Sequence, residues 1–566
     1  MSRILGIVTE THDSGLVLLD DGMPVLVLEE ERFNRQKHTL AFPRRALAAA
    51  FAELKLDIGD IDVITTPWDT GQLRKTLAKA VVGGLPASVY LLFPRAHPTQ
   101  DSGIVLLRFW LKMNLRSSLR IVRLPNIVQV GHHDAHAAIF FVSPFEEAAV
   151  LVLDGYGDVS ATSAYVGRGN RLECQWRGGF FDSIGMLYTL VTYHLGFKNF
   201  EEGTVMALAA GGGDTYVAKF REIVQLREGG QFSLNPEFLR HDRYGAMRPF
   251  TRRFLDAFGP PRQRDEAITD RHRDLAFALQ ATTEETIVHV ARALSAAHPS
   301  RNLCLTGGVA LNCVANARIL RDTDYTHVWV PPCPSDSGAP LGSALWHHHQ
   351  TLGQPRRLQL THPFYGTAYS DREIAGALDR AGLSYRRLSE RELIAEVAQK
   401  LVEGRVVGWF QGRFEMGPRA LGNRSILADA RKAEMKDRLN RRIKEREPFR
   451  PFAPAVLAEH AAEYFEIAQP DPFMTMAPRV RADKLDVIPA AVHVDGTARL
   501  QTVDRIANPR YYAVIEAFGR LTGVPVILNT SFNRHEPIVA SPAEAVSCYK
   551  RAGMDALAIG DFWVTA

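Results

Sequence analysis

Apolar runs separated by short polar turns make up the start of the chain. The segment RILGIVTETHDSGLVLLDDGMPVLVLEEERF contains an apolar run, a polar turn, a second apolar run, an Asp-Asp-Gly turn at residues 20–22 and a third apolar run. Short apolar runs bounded by Asp- and Gly-rich turns are typical of β-strands joined in hairpins. The pattern therefore predicts three consecutive strands.

The same plan returns at residues 148–176, AAVLVLDGYGDVSATSAYVGRGNRLECQW. A strand, an Asp- and Gly-rich turn, a second strand, a Gly turn and a third strand follow one another as at the N-terminus. The N-terminal half is thus predicted to be duplicated, as in the actin and sugar-kinase ATPases. Further on, HRDLAFALQATTEETIVHVARALSAA has apolar residues three and four positions apart, which predicts a helix.

A pair of glycines gives a different kind of signal. The strand-like NLCL runs into TGGVALNCVANARIL, where Gly307 and Gly308 precede a predicted helix. Backbone N–H groups there can point at an anion, and glycine lets a base lie close to the main chain. Residues 351–370 lack periodicity and are predicted to be a linker. The three histidines at 347–349 are interpreted as a solvated helix end.

Composition limits the possible classes of protein. The 566 residues are too many for one ordinary core, so two or more domains are expected. A net charge of +4 is too small to indicate nucleic acid or an anionic membrane as a partner, so any basic site must be local. Five scattered cysteines without a CxxC pair favour a reducing cytoplasm. The apolar stretches SVYLLFP and GIVLLRFWLKMNL are too short to span a membrane and are interpreted as buried core or helix.

The C-terminal part, from about residue 370, concentrates basic residues among Gly and Pro. They lie in RFEMGPRALGNRSILAD and LNRRIKEREPFRPFAPAVL. Arginines in such turns can hold their planar guanidinium groups for bidentate binding of phosphate or carboxylate. The region is interpreted as a phosphate-binding site. Ordinary surface charge remains the alternative, above all for Arg441 and Arg442.

The segment GHHDAHAA, residues 131–138, offers metal ligands. His132 and His136 are four positions apart, so on a helix they project from one face and can chelate one cation. Asp336 and Asp154 are candidate carboxylate ligands, although Asp in such turns commonly caps a turn or a helix. A zinc protease would carry Glu where this chain has a second consecutive His, so peptidase chemistry is poorly supported.

Taken in order, ten motifs resemble the O-carbamoyltransferases that modify nodulation factors and antibiotics. They are THDSG, LEEERFNRQKH, HHDAHAA, LDGYGD, GGVALNC, PSDSGAPLGSAL, FEMGPRALGNRSI, IKEREPFRPFAPAVL, HVDGTARLQTV and NTSFNRHEPIVASPAEA, and they span nearly the whole chain. The resemblance implies an α/β protein of two domains. Residues 1–355 would form a duplicated actin-like ATPase (ribonuclease-H-like), metal-binding carbamoyl-transfer domain, and residues 365–566 a YrdC-like α/β domain that makes carbamoyl-adenylate.

The activity implied is ATP-dependent O-carbamoyl transfer. Carbamoyl phosphate and ATP, with Mg²⁺, would give carbamoyl-adenylate in the C-terminal domain. A hydroxyl of a small-molecule acceptor, a sugar or a macrolide-type natural product, would take the carbamoyl group in the N-terminal domain. An actin-fold small-molecule kinase and a nucleotide-gated binding protein without turnover remain alternatives. A cytoplasmic enzyme is expected, without nucleic acid or membrane as a partner, and the oligomeric state is left open.

The resemblance also implies roles for individual residues. Fe²⁺, or another divalent transition metal, would be held by His132, His136, Asp154 and Asp336. His12 is the candidate base for the acceptor hydroxyl, because imidazole has a near-neutral pKa. Lys37 is the candidate for stabilising negative charge on the carbamoyl oxygen or the phosphate. Contacts to nucleotide, phosphates and carbamoyl group are expected from Gly307, Gly308, Asn312, Arg419, Arg424, Ser425, Lys444, Arg446, Arg450, Arg499, Asn529, Ser531 and Asn533.

One segment departs from the family pattern. In EEGTVMALAAGGG, Thr204 stands where family members usually carry Lys, and Ala207 stands where they carry Gly. Contacts known from this loop in the family therefore do not transfer, and no site residue is assigned to it.

Overall fold

The computed structural model describes residues 2–93 and 102–565. The chain divides into two compact units, the first formed by Met1–Glu31 and His38–Leu360, the second by Arg32–Lys37 and Thr361–Ala566. The division near residue 360 falls in a stretch, residues 352–370, that forms neither helix nor strand. The six residues Arg32–Lys37 belong to the second unit although they directly follow the first three strands.

The first unit begins with a five-stranded sheet. Its strands are β1 (Arg3–Val8), β2 (Gly15–Asp20), β3 (Met23–Glu29), β4 (Val63–Thr66) and β5 (Asn126–Gln129). They lie in the order β3-β2-β1-β4-β5, with the first three antiparallel and β4 and β5 parallel to β1. The apolar residues of β1 and β2 are buried. The three predicted N-terminal strands are confirmed.

A second sheet of the same unit repeats this topology. It contains β6 (Glu147–Leu153), β7 (Thr162–Arg168) and β8 (Arg171–Arg177) and, beyond a hairpin of β9 (Val224–Leu226) and β10 (Phe232–Leu234), β11 (Asn302–Thr306) and β12 (His327–Trp329). The order β12-β11-β6-β7-β8 mirrors that of the first sheet, with β11 and β12 parallel to β6. Two sheets of this order define the predicted duplicated actin-like (ribonuclease-H-like) fold, which is confirmed.

The first unit contains thirteen described α-helices, of which α1 extends into the second unit's segment. They are α1 (Glu31–Asn34), α2 (Arg44–Leu54), α3 (Thr70–Gly83), α4 (Leu107–Leu119), α5 (His132–Ala137), α6 (Ile184–His194), α7 (Glu202–Ala209), α8 (Val217–Phe220), α9 (His241–Tyr244), α10 (Arg252–Phe258), α11 (Asp270–Ala297), α12 (Cys313–Asp322) and α13 (Ala339–Leu345). The long predicted helix corresponds to α11 and is confirmed.

The three consecutive histidines are buried, so the predicted solvated helix end is wrong. They lie in the π-helical segment Trp346–Thr351. A Cβ on Gly22 would lie 2.6 Å from Nε2 of His348, and the His349 ring packs 4.9 Å from that of Phe141. Burial lowers the pKa of all three imidazoles, so they behave as neutral core side chains.

The two apolar stretches of the first unit are helical, but only part of each is buried. Residues Ala87–Leu92 form a 3-10 helix, and α4 covers most of the second stretch. Leu111 is buried whereas Leu92 and Phe109 are exposed, so the interpretation as buried core or helix is confirmed as helix, with only one side buried. Pro94 lies outside the described residues. Among the described residues, no helix combines the length and apolarity needed to cross a bilayer.

The second unit is built on one eight-stranded mixed sheet. Its strands are β13 (Arg386–Arg387), β14 (Val407–Phe410), β15 (Arg424–Asp429), β16 (Ala453–Leu457), β17 (Gln501–Val503), β18 (Val526–Ser531), β19 (Ala556–Ile559) and β20 (Phe562–Thr565). Their order is β13-β20-β19-β14-β15-β18-β16-β17. The helices are α14 (Asp371–Arg380), α15 (Glu390–Val402), α16 (Glu434–Arg438), α17 (Ala461–Tyr464), α18 (Pro509–Thr522) and α19 (Pro542–Ala552).

Apolar side chains cover both faces of this sheet. Ile426 and Val456 belong to one buried cluster, whereas their neighbours Leu427 and Ala455 belong to another. Successive residues of a strand point to opposite faces, so the strands carry continuous apolar runs. The predicted α/β class is therefore confirmed for this unit as well.

Candidate functional site

Four ionisable side chains converge in the first unit. His132 and His136 lie on α5, Asp154 follows β6, and Asp336 begins a short 3-10 turn before α13. The two Nε2 atoms are 3.2 Å apart, and they lie 3.0 and 3.4 Å from Oδ2 of Asp154 and 3.5 Å each from Oδ1 of Asp336. All four side chains are buried. The structure thus brings together the four residues proposed from the sequence as metal ligands, which we call the ligand group.

Hydrogen bonds from outside hold the ligand group in orientation. Nδ1 of His132 lies 3.1 Å from the carbonyl oxygen of Pro67, so it donates there and Nε2 is the ring nitrogen that faces the carboxylates. Oδ1 of Asp154 accepts the backbone N–H groups of Gly155 and Gly308 at 2.8 and 3.0 Å, which leaves Oδ2 for the imidazoles. Outer partners of this kind are typical of metal-binding histidines and carboxylates.

The charges of the ligand group compensate one another. Burial lowers the pKa of His132, but the carboxylates of Asp336 and Asp154 outweigh it and raise the pKa to about 10. Burial raises the pKa of both aspartates, but the imidazoles hold it below the usual range. A cation that binds here displaces the imidazole protons.

The donor set fits a divalent transition metal. Donor atoms 3.0–3.5 Å apart leave room for a cation at about 2 Å from each. Two imidazoles with two carboxylates suit iron, manganese and zinc alike. The geometry therefore fits a metal without selecting one.

Two histidines joined by a carboxylate approach the ligand group from the first hairpin turn. Nε2 of His12 lies 3.7 Å from Oδ2 of Asp336, and its Nδ1 lies 3.0 Å from Oδ2 of Asp13. The other oxygen of Asp13 is 2.7 Å from Nδ1 of His38, whose ring stacks on Phe200 at 3.8 Å. Burial lowers the pKa of His12, whereas Asp336 and Asp13 raise it to about 9.

The carboxylate of Asp13 therefore bridges two imidazoles and orients His12. His12 was predicted from the sequence, whereas Asp13 and His38 were not. The motif THDSG does show that an acidic residue, Asp13, directly follows the candidate base.

The predicted glycine pair lies beside the ligand group. Gly307 has φ +91, and a Cβ there would lie 2.1 Å from a main-chain oxygen at the end of β6, so only glycine fits. The N–H of Gly308 donates to Asp154, so the anion that it meets in this structure is a ligand-group carboxylate. The side chain of Asn312 accepts the N–H of Ala315 at 3.1 Å and thereby caps α12.

The second unit contains a buried lysine among neutral oxygens. Nζ of Lys444 lies 2.5 and 3.2 Å from the carbonyl and hydroxyl of Ser531, and 2.9 and 2.8 Å from the carbonyl and side-chain oxygen of Asn533. Burial holds the pKa of Lys444 well below its usual range. The nearby cations that lower it further are Arg446, Lys37 and Arg450. An ammonium in such surroundings is stabilised by a bound anion.

Arg446, close to Lys444, is also desolvated. Burial, followed by the charges of Arg450 and Arg499, lowers the pKa of Arg446 to about 9. Its guanidinium lies 4.6 Å from the centre of the Phe452 ring and donates to Asn440 at 2.8 Å. Nε of Arg499 is buried without a hydrogen-bond partner among the described residues. We call Lys37, Lys444, Arg446, Arg450 and Arg499 the cation cluster.

Lys37 was proposed as a partner of the transfer reaction, and the structure assigns it to the second unit. There its charge lowers the pKa of Lys444. Its sequence neighbour His38 belongs to the first unit. Two consecutive residues, Lys37 and His38, thus belong to different units and to different candidate sites.

Other residues that were predicted to contact the substrates make hydrogen bonds within the second unit. Arg424 is fully buried, donates to the carbonyls of Gln411 and Gly412 at 2.5 and 3.1 Å, and lies 3.6 Å from the centre of the Phe410 ring. The Ser425 hydroxyl accepts a backbone N–H at 3.1 Å. The Asn529 amide donates to the Ala420 carbonyl and the Gln501 side chain. Arg419 is half-buried in the turn before β15. Arg424, Ser425 and Asn529 therefore support the backbone around the site.

Glu415 was not predicted from the sequence, and it organises the arginine-rich turn. Its buried Oε1 accepts the backbone N–H groups of Leu421, Asn423 and Arg424 at 2.7–3.0 Å. A carboxylate that accepts three N–H groups holds the intervening loop closed. The only hint in the sequence was a single Glu among the glycines and arginines of FEMGPRALGNRS.

Comparison with known proteins finds related sequences over most of the chain. The family models Carbamoyltransferase N-terminus and Carbamoyltransferase C-terminus match residues 3–345 and 398–566. An uncharacterized protein of Synechocystis sp. is 37% identical over 99% of this chain and 96% of its own length. Nodulation protein NolNO of Sinorhizobium fredii is 35% identical (98% of this chain, 79% of that protein), and nodulation protein NolO of Bradyrhizobium diazoefficiens is 38% identical (77% and 78%).

The chain therefore belongs to the carbamoyltransferase family and is an enzyme of that class. The resemblance found in the sequence motifs is confirmed.

Proposed function

We propose that this carbamoyltransferase forms carbamoyl-adenylate from carbamoyl phosphate and ATP in the second unit. The first unit then transfers the carbamoyl group to a hydroxyl of a small-molecule acceptor. The observation that carries the proposal is the cation cluster, where Lys444 is buried among neutral oxygens and further cations. Two polyanionic substrates supply negative charge that stabilises the Lys444 ammonium.

The proposed formation of carbamoyl-adenylate has two steps. In the first, one water hydrolyses carbamoyl phosphate to carbamate and phosphate. A carbamate oxygen then attacks the α-phosphorus of ATP, and pyrophosphate leaves. Lys444 and Arg446 bind the phosphates and stabilise the charge that develops on the transferring groups, because they are already desolvated and held in place.

Transfer to the acceptor requires a base, and we assign this role to His12. Its Nδ1 is hydrogen-bonded to Asp13, so Nε2 is the atom that takes the hydroxyl proton. The acceptor oxygen attacks the carbamoyl carbon, the bond to the adenylate oxygen breaks, and AMP leaves. Asp13 stabilises the imidazolium that forms, as the acidic member of a catalytic triad does.

His132, His136, Asp154 and Asp336 would hold the metal. When bound, it would supply positive charge for the adenylate phosphate and would offset the carboxylate of Asp336. The carboxylates of Asp336 and Asp154, which raise the pKa of His12, would then be partly neutralised, which would favour the neutral imidazole that accepts a proton at Nε2.

The acceptor proposed is a sugar or a macrolide-type natural product, as the motif resemblance implies. Two of the relatives are named nodulation proteins, and their names specify no substrate.

Analysis of nucleotide products tests the proposal. Purified enzyme is incubated with ATP, Mg²⁺ and carbamoyl phosphate, with and without a panel of hydroxylated acceptors. AMP and pyrophosphate that depend on carbamoyl phosphate, with an acceptor heavier by one carbamoyl group in mass spectrometry, are expected. ADP would indicate a kinase instead, and absence of turnover with every acceptor would indicate a nucleotide-gated binding protein.

The variant His12→Ala separates the two steps of the proposed reaction. It should still form carbamoyl-adenylate in the second unit but transfer the carbamoyl group at least about 100-fold more slowly. Unchanged transfer by this variant would exclude His12 as the base.

A further inference from the structure

A strongly basic region lies between β4 and β5 of the first unit. It comprises α3, the 3-10 helix Ala87–Leu92 and α4, and we call it the basic helical region. Residues 70–93 and 102–123 contain eight Lys and Arg residues and no Asp or Glu, whereas the net charge of the whole chain is only +4. This region thus carries more net positive charge than the entire protein.

The helix α4 presents three distinct faces. Its buried face carries Leu107, Leu111 and Leu115. Its exposed apolar stripe carries Phe109, Trp110 and Met113, which are 54, 39 and 48% exposed, and Leu106, directly before the helix, is 47% exposed. Its basic stripe carries Arg108, Lys112 and Arg116. Residues three and four positions apart share one side of a helix, so the apolar and basic stripes run side by side.

Neighbouring segments extend the exposed apolar surface. Val82 on α3 and Leu92 on the 3-10 helix are 69 and 67% exposed. Nε of Arg74 on α3 donates to the carbonyl of Val105 at 2.7 Å, just before α4. The Ser88 hydroxyl donates to a carbonyl of α3 at 2.5 Å, which attaches the 3-10 helix. The exposed apolar side chains therefore belong to one packed region.

We propose that the basic helical region binds the surface of an anionic lipid bilayer. An exposed stripe with Phe and Trp beside a stripe of Lys and Arg is the pattern of helices that lie in the membrane interface. The apolar stripe enters the boundary between headgroups and acyl chains, and the basic stripe contacts anionic headgroups. The association is peripheral and independent of the carbamoyl-transfer chemistry.

Charge and composition favour a bilayer over other occupants. A second copy of the chain would bring two strongly positive surfaces together, which is unfavourable. A nucleic acid would pair with the basic stripe but leave aliphatic side chains such as Leu106 and Met113 exposed to water. Only an anionic surface with an apolar interior matches both stripes.

Vesicle sedimentation of the full-length protein tests the proposal. We expect at least about tenfold more protein to sediment with vesicles of phosphatidylcholine and phosphatidylglycerol than with phosphatidylcholine alone. Added salt should reduce the bound fraction, because it screens the exposed charges. Absence of binding to anionic vesicles at low ionic strength would overturn the proposal.

Variants of exposed residues separate the contributions of the two stripes. Phe109→Ser with Trp110→Ser removes apolar contacts, and Arg108→Gln with Arg116→Gln removes charge; each pair should reduce the bound fraction about tenfold. Ile506→Ser, at a side chain that is 92% exposed in the second unit, is the apolar control, and Arg441→Gln with Arg442→Gln is the charge control. Both controls should bind as the unaltered protein does.

Other outcomes would identify a different occupant. Vesicle binding that survives both pairs of substitutions would overturn the assignment to this region. A dimer in light scattering that the Phe109→Ser and Trp110→Ser pair dissolves, without vesicle binding, would indicate a second copy instead. Carbamoyl transfer to a soluble acceptor should be unchanged in all these variants, so failure here leaves the proposed reaction unaffected.

Discussion

The buried ionisable groups of the two units differ in how their charges are balanced. In the first unit, the imidazoles of His132 and His136 face the carboxylates of Asp154 and Asp336, so positive and negative charges balance within the protein. In the second unit, Lys444 meets neutral oxygens and further cations. A buried charge is costly unless it is paired. The ligand group is therefore balanced by its own protons without a metal, whereas Lys444 is stabilised by a bound anion.

The largest effect is expected from removal of a residue of the ligand group. His132→Ala leaves two buried carboxylates with one imidazole, so bound transition metal should fall to background. Carbamoyl transfer should fall about 1,000-fold, or about 4 kcal/mol of transition-state stabilisation. Elemental analysis of the purified variant and an acceptor assay measure the two effects.

The neighbouring residue on α5 supplies a matched control for this variant. His133→Asn changes an imidazole whose Nδ1 faces the Ser163 hydroxyl at 2.7 Å, so the metal content should be retained. Full metal content in His132→Ala would contradict the ligand assignment.

Neutralising the cation cluster should have a slightly smaller effect. Lys444→Met keeps the length of the side chain but removes the buried charge, so AMP formation dependent on carbamoyl phosphate should fall ~10²–10³-fold. Transfer from chemically supplied carbamoyl-adenylate should be unaffected. Arg442→Gln, at an exposed neighbouring position, is the control. Equal losses in both assays would indicate a general loss of structure, which a thermal melt would reveal.

Substitution of Asp13, whose carboxylate bridges His12 and His38, should reduce activity less than substitution of a ligand-group residue or of Lys444. Asp13→Asn keeps the shape of the side chain but removes the charge that orients His12 and His38, so transfer should slow about tenfold to 100-fold. The same substitution lowers the pKa of His12, because Asp13 is one of the groups that raise it. The acidic limb of the pH–rate profile should therefore shift to lower pH. An unshifted profile would show that His12 is not the titrating base.

The smallest effect is expected for the pH dependence of anion binding at Lys444. It distinguishes the cation cluster from the ligand group. Above its lowered pKa, the Lys444 amine is uncharged, whereas a bound anion favours the ammonium. Binding of inorganic phosphate should therefore take up a proton, and its affinity should fall as pH rises, by at most about tenfold per pH unit. Calorimetry in buffers of different ionisation enthalpy measures the proton uptake. In Lys444→Met the proton uptake should be lost, and affinity that rises with pH would contradict the assignment.

Local patterns in the sequence predicted much of the fold and part of the site. The apolar runs of both hairpins became β1–β3 and β6–β8, because alternation of strands and Gly turns is a local property. The spacing of His132 and His136 predicted that both would face one cation, since four residues make about one helical turn. The motif THDSG located His12 but did not reveal that Asp13 also reaches His38.

Only the tertiary structure decided which distant residues meet. Asp154 and the glycine pair come together because they follow β6 and β11, which are parallel neighbours and end at the same edge of the sheet. The sequence pattern likewise did not predict three further features. They are the burial of the three histidines at 347–349, the assignment of Lys37 to the second unit and the internal hydrogen bonds of Arg424. The physical reason is that periodicity records which face of an element is apolar, whereas the partner of that face depends on strand pairing across long separations in sequence.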